Sequence, residues 1–270
     1  MRFSNQTEKK SGLPEKSALF LARFSRGWYN GREKGATAVT GLELKNKVLT
    51  DFALVGALPA REGETLLLRH KTQNKRAVLR FFARENPVFV FLRGVTHPNL
   101  PAVYDVYSLS DGFAALTEYV DGLTAAEVLE SGPYTYAGAK KVLSGVGAAL
   151  SVLHENGFVH RDVKPENVVI GENGRVVLID FDIARPAGRP GTQTRALGTL
   201  GYAPPEQQGI GESDSRSDIY ALGVLLNVLL TGRHPSVSLA PGRAGKLVLR
   251  CTAVSPEKRF QSVEEFLSRL

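Results

Sequence analysis

The sequence predicts an α+β protein of two lobes, a small antiparallel β-sheet lobe followed by a mainly helical one. Three observations predict it. Residues from about 49 to 82 and from 102 to 120 are short β-prone runs broken by polar turns. Beyond residue 122 the apolar residues fall at helical spacing. The change of character sits at Asp121-Gly122, which marks a joint with a cleft beside it. At 270 residues and 43% hydrophobic, the chain can fill two packed lobes.

Taken in order, "VLTDFALVGAL", "ETLLLRHK" and "RAVLRFF" read as a meander of strands, with "TQNK" turning between the last two. In "ENPVFVFLRGV", Asn86 is placed to cap and Pro87 to open a helix over 87–95, about 13 Å long. "AVYDVYSL" and "FAALTEYV" are two further strands about the turn "SDG". In the second half, "YAGAKKVLSGVGAALSVLHENG" is a helix stopped by Gly157, and "VVI-GENG-RVVLIDF" is a hairpin over 168–181. "SDIYALGVLLNVLLTG" is an apolar helix ended by Gly232, and "AGKLVLRCTA" and "VEEFLSRL" close the chain as helices. There is no internal repeat.

The net charge of +7 is unevenly spread: residues 1–50 hold ten Lys or Arg against four Asp or Glu, and the other 220 hold 24 against 23. This sets apart residues 1–47 as a basic, partly disordered extension of a folded body at 48–270, with lobes at 48–120 and 121–270. Residues 18–32, "ALFLARFSRGWYNGR", read in two ways. They form a short helix laid on a protein partner or an anionic membrane surface, or they are a solubilising tail. No run approaches the roughly 18 apolar residues of a membrane span, and "ALFLA" is too short for a secretory signal. The single Cys251 excludes an internal disulfide and a cysteine-based zinc cluster. The cytoplasm is the expected compartment, and no nucleic-acid partner is expected.

Chemistry concentrates in "FVHRDVKPENVVI", residues 158–170, where Asp162, Lys164 and Asn167 fall within six positions. A carboxylate, an ammonium and an amide so close suit proton acceptance, phosphate contact and metal ligation. Asp180 follows thirteen residues after Asn167, and the two supply the hard oxygens that magnesium shares with substrate phosphates. "LIDFDIARP" adds Asp182. Two residues apart on an extended chain, Asp180 and Asp182 face one side and repel unless a cation or ordered water lies between them.

"HRDVKPEN" followed by "DFD" resembles the catalytic and metal-binding loops of eukaryotic-type Ser/Thr protein kinases, in a bacterial-like wording. "GTLGYAPPE" at 198–206 is similar to the end of that family's activation segment. "SDIYALG" at 217–223 is similar to its loop-anchoring helix and "SPEKRF" at 255–260 to its closing motif. "HPNLPAVYDVY" and "LTEYVDG" resemble the strand entry and hinge of its N-lobe. The likeness covers roughly residues 48–270 and implies a protein-kinase-like fold acting with ATP and magnesium on Ser or Thr hydroxyls of protein substrates.

The resemblance assigns Asp162 to the proton of the attacking hydroxyl, Lys164 to the transferring phosphoryl group, and Asn167 and Asp180 to magnesium. Thr199 braces Asp162 and Lys164. Arg161 implies control by phosphorylation at Thr192 or Thr194, unless those threonines are an ordinary polar loop. Asp218 ties down the catalytic loop and Glu206 pairs with Arg259. At the hinge, the Glu118 and Val120 backbone meets adenine, with Thr117 behind it.

The ATP-holding half departs from the pattern. Where the family has a glycine-rich loop this chain reads "GALPAREGET", with Gly56 and Gly63 kept and Pro59 in the middle. Arg80 stands for the phosphate-binding lysine, and its planar guanidinium is not a neutral exchange. No acid lies in "VFVFL" to pair with it. Asp182 stands for a glycine; it ligates metal through water, accepts from Arg161 or another loop group, or is a tolerated surface acid. Only "SVSLAP" leads to the closing helices, so the family's docking helix is missing. Three functions follow: a slow Ser/Thr kinase, a pseudokinase that binds nucleotide or scaffolds, and a small-molecule kinase, the last disfavoured by the activation segment.

Overall fold

A computed structural model describes residues 39–61, 63–188, 201–208 and 214–270. The chain there opens with helix α1 (Gly41–Asp51). Thr40 caps it: its hydroxyl accepts from the Glu43 amide, while the Glu43 carboxylate accepts from the Thr40 amide at 2.8 Å. Leu44 and Val48, one turn apart, bury against the sheet. Residues 41–47, set apart above on charge, therefore belong to the first lobe, and "VLT" at 48–50 is helix and not strand. The 18–32 segment lies outside the described residues.

The first lobe is a five-stranded antiparallel sheet of β1 (Phe52–Ala57), β2 (Thr65–His70), β3 (Arg76–Phe82), β4 (Val103–Leu109) and β5 (Gly112–Glu118). The spatial order is β1-β2-β3-β5-β4. Phe52, Leu66, Leu68, Ala77, Leu79, Ala114 and Leu116 pack under α1 as one core. Helix α2 (Pro87–Leu92) is shorter than the 87–95 expected. Asn86 caps it by accepting from the Val88 amide at 3.1 Å. Its buried face, Val88, Phe89 and Leu92, joins the second lobe's core, so α2 couples the lobes.

The second lobe runs β6 (Leu123–Thr124), α3 (Ala125–Leu129), α4 (Tyr136–Glu155), β7 (Phe158–Val159), β8 (Val168–Ile170), β9 (Val176–Leu178) and β10 (Arg185–Pro186). It ends with α5 (Ser215–Thr231), α6 (Gly242–Cys251) and α7 (Val263–Arg269). Helix α5 is buried on nearly every face, which is why its sequence is apolar all round. Gly232 ends it at φ +68° with its amide on the Val228 carbonyl. The return to α6 contains no further helix. One buried amide pins that return: Asn227 donates to the Arg233 and Ser238 carbonyls at 2.8 and 2.7 Å and accepts from the Ala240 amide at 2.8 Å. Among the described residues no helix is long and apolar enough to cross a membrane.

Candidate active site

A cleft of about 600 Å³ lies between the lobes. Leu58 and Pro59 of the β1–β2 connection and Val78 and Arg80 of β3 form its roof. Thr117, Glu118 and Val120 form its hinge side, and Asn167 and Asp180 its floor. The Glu118 carboxylate is engaged by Arg175 at 2.5 Å and the Ala102 amide at 3.0 Å. What Glu118 offers the cleft is therefore its backbone.

The floor rests on two residues held in a left-handed backbone, Arg161 at φ +71° and Asp180 at φ +67°. Each costs on the order of 1–3 kcal/mol and persists only where its surroundings impose it. Asp218 of α5 imposes the first. Its carboxylate is fully buried and accepts from the His160 and Arg161 amides at 2.9 and 2.8 Å and from His154 Nε2 at 2.8 Å. Burial alone would raise its pKa. The His154 hydrogen bond and charge, with the Arg161 amide, outweigh that and hold it below the usual carboxylate range. Gln207 adds a bond to the Arg161 carbonyl at 2.6 Å.

His160, wholly buried and with its pKa lowered by that burial, meets Phe181 edge-on at 5.1 Å. Phe181 in turn meets Phe89 of α2 edge-on at 6.0 Å. An aromatic column thus runs from α2 through the loop at 180–182 to the loop at 160–162.

On this floor Asp162, 5% exposed, accepts through Oδ2 from Asn167 Nδ2 at 3.0 Å and Lys164 Nζ at 3.1 Å. Asn167 Nδ2 also reaches the Asp162 carbonyl at 2.8 Å. Its NH₂ is so committed to Asp162, and its oxygen is the end that could meet a cation. Asp180 Oδ1 accepts from Arg80 Nη1 at 3.0 Å, and the same nitrogen bonds Asp182 Oδ1. Burial and the Asp180 charge push Asp182 up to about 6, with Arg80 opposing. The donor set, one amide oxygen and one carboxylate at a cleft sized for a nucleotide, fits magnesium. That ion takes one or two carboxylates and completes its shell with phosphates and water.

The structure thus brings Asp162, Lys164, Asn167 and Asp180 together and puts Arg80, Glu118 and Val120 around the same cleft. Thr199, Thr192 and Thr194 lie outside the described residues. Gly63, which the resemblance offers as a nucleotide contact, carries a steric demand of its own. It stands at φ +74°, where a Cβ would be 2.3 Å from the Phe81 carbonyl oxygen, so packing on β3 demands glycine. Gly63→Ala is expected to lower stability by about 1–3 kcal/mol, read as a shift in the urea midpoint.

Asp182 is not a surface acid: its side chain is 14% exposed and engages Arg80, not Arg161. Nor is it strained, since the left-handed residue of the loop is Asp180. Two contacts escape sequence reasoning. Arg61 reaches down from the roof to within 3.9 Å of Asp162. Asn86, legible as a cap, also donates to the Phe181 carbonyl at 3.0 Å. Nothing in the local pattern of either residue signals a partner some hundred residues away.

The family model described as "Protein kinase domain" matches residues 68–264. Serine/threonine-protein kinase PrkC of Bacillus subtilis is 32% identical over 231 residues, covering 76% of this chain and 35% of that protein. Serine/threonine-protein kinase PknB of Mycobacterium tuberculosis is 35% identical over 208 residues, covering 65% and 33%. The chain so spans about a third of the length of these relatives. The solved Mycobacterium tuberculosis PknI kinase domain superposes with a TM-score of 0.62 at 24% identity, over 81% of this chain and 94% of that one, a likeness of fold.

Proposed function

This chain belongs to the protein kinase domain family, and on that premise we propose that it transfers the terminal phosphoryl group of ATP to Ser or Thr hydroxyls of protein substrates. The observation that carries the reading is the floor of the cleft. Asp162, Lys164 and Asn167 form one hydrogen-bonded group there, and Asp180 lines the same cleft as Asn167. Asp162, hydrogen-bonded and buried, orients and takes the hydroxyl proton. Lys164 sets a positive charge beside it, where charge develops on the transferring group. Asn167 and Asp180 would hold magnesium, which when bound supplies positive charge against the phosphate oxygens. Arg80 and Arg61 add cations from the roof, in place of the backbone amides that a glycine-rich loop would offer. The cytoplasm, which supplies ATP and keeps Cys251 reduced, is the proposed compartment.

Labelled ATP with magnesium and a Ser/Thr-bearing acceptor protein tests this. Slow incorporation into the acceptor, lost in Asp180→Ala, supports the reading; incorporation that survives Asp180→Ala comes from a contaminant and overturns it. A second reading is favoured by the roof, where Pro59, Arg80 and an acid-free α2 replace the usual ATP grip. It is a pseudokinase that binds nucleotide as a scaffold. Nucleotide binding with no transfer would establish it.

A further inference from the structure

We propose that Asp182 is the positioning residue for Arg80, supplying from the metal-binding loop the carboxylate that helix α2 lacks. The inference rests on the kinase reading of the cleft. Arg80 lies on β3 with its side chain 17% exposed, and a guanidinium so enclosed is costly unless an anion meets it. From α2 the cleft receives Phe89, an apolar ring, and the nearest acid in sequence, Glu85, is exposed and precedes the cap. The partner comes instead from 100 residues further on. Arg80 Nη1 lies between Oδ1 of Asp180, at 3.0 Å, and Oδ1 of Asp182.

Two carboxylates two residues apart repel unless a cation separates them, and Arg80 is that cation. Their duties differ. Asp180 lines the cleft beside Asn167 and would hold the metal; Asp182, 14% exposed, is the acid that stays with Arg80. Between them the Phe181 carbonyl accepts from Asn86 Nδ2 at 3.0 Å, so the cap of α2 holds the loop's backbone while β3 holds its side chains. The placement of the roof cation and of the metal acid is then set within one three-residue loop.

A double-mutant cycle on nucleotide binding tests this. The full chain is titrated by calorimetry with a non-hydrolysable ATP analogue in magnesium, as wild type, Asp182→Asn, Arg80→Met and the double variant. Each single variant is expected to weaken binding about 10-fold or more, and the double variant to match the weaker single within about twofold. Asp182→Glu, which keeps the charge, is expected to bind more tightly than Asp182→Asn. Binding by Asp182→Asn within twofold of wild type would overturn the proposal, as would losses that multiply in the double variant. If Asp182→Asn fails to fold, Asp182→Ser takes its place in the cycle. A wild type that binds no nucleotide defeats the kinase reading itself; a wild type that binds, with an indifferent Asp182, defeats this inference alone.

Discussion

Asp162→Asn is expected to slow phosphoryl transfer by about 10²–10⁴-fold, the range a positioned acid–base group contributes, while Mg·ATP binding changes by less than about threefold. The reason is geometric. Asp162 lies on the floor and not in the roof or hinge, and its isosteric amide keeps the shape that Asn167 packs against, so only a small change in nucleotide affinity is expected. Its Oδ2 is instead the meeting point of Asn167 Nδ2 and Lys164 Nζ, at 3.0 and 3.1 Å. The isosteric amide keeps the shape of the floor and removes the charge that accepts a proton and opposes Lys164. Single-turnover transfer beside calorimetric binding separates the two effects. Equal losses in both would place Asp162 in binding and contradict the assignment.

Arg259→Met is expected to destabilise the fold by about 3–5 kcal/mol, the usual cost of leaving half of a buried ion pair. In a domain of this size that lowers the melting temperature by very roughly 6–20 °C. The Arg259 side chain is fully buried and donates to both oxygens of Glu206, at 2.6 and 2.9 Å. It also donates to the Ala253, Val254 and Arg216 carbonyls. It thereby staples the segment at 205–208 to α5 and to the turn before α7. Removing Arg259 strands Glu206 and three carbonyls together. The double variant Arg259→Met with Glu206→Gln should lose less than the two single losses combined, because no lone charge remains. Thermal unfolding of the three variants checks this, and strict additivity would show that the pair is not coupled.

Much of the fold was legible because the sequence obeys local rules. Pro87 after Asn86 opens α2, Gly157 and Gly232 end α4 and α5 in left-handed turns, and period-two runs mark the sheet. Helix α1 was missed because charge counting set its first seven residues apart. The cue that finds it is the capping pair Thr40 and Glu43 before Leu44 and Val48. The floor of the cleft was legible because Asp162, Lys164 and Asn167 fall within six positions of one another, and the fold joins them by hydrogen bonds. The roof was not. Gly63, kept from the glycine-rich loop of the family pattern, also answers a steric demand from Phe81 that the sequence does not show. The partner of Arg80 was sought on the adjacent helix but stands 102 positions further on. Long-range pairs between single charges leave no periodic trace, and only the folded geometry reveals them.

On the proposed reading, Asn167 and Asp180 hold one magnesium ion against a nucleotide in this cleft. A crystal of the full chain grown with magnesium and a non-hydrolysable ATP analogue tests it most directly. One metal is expected there, ligated by the Asn167 amide oxygen and the Asp180 carboxylate, with phosphate oxygens completing its shell. An empty cleft, or a bound nucleotide with those two side chains turned away from each other, would contradict it.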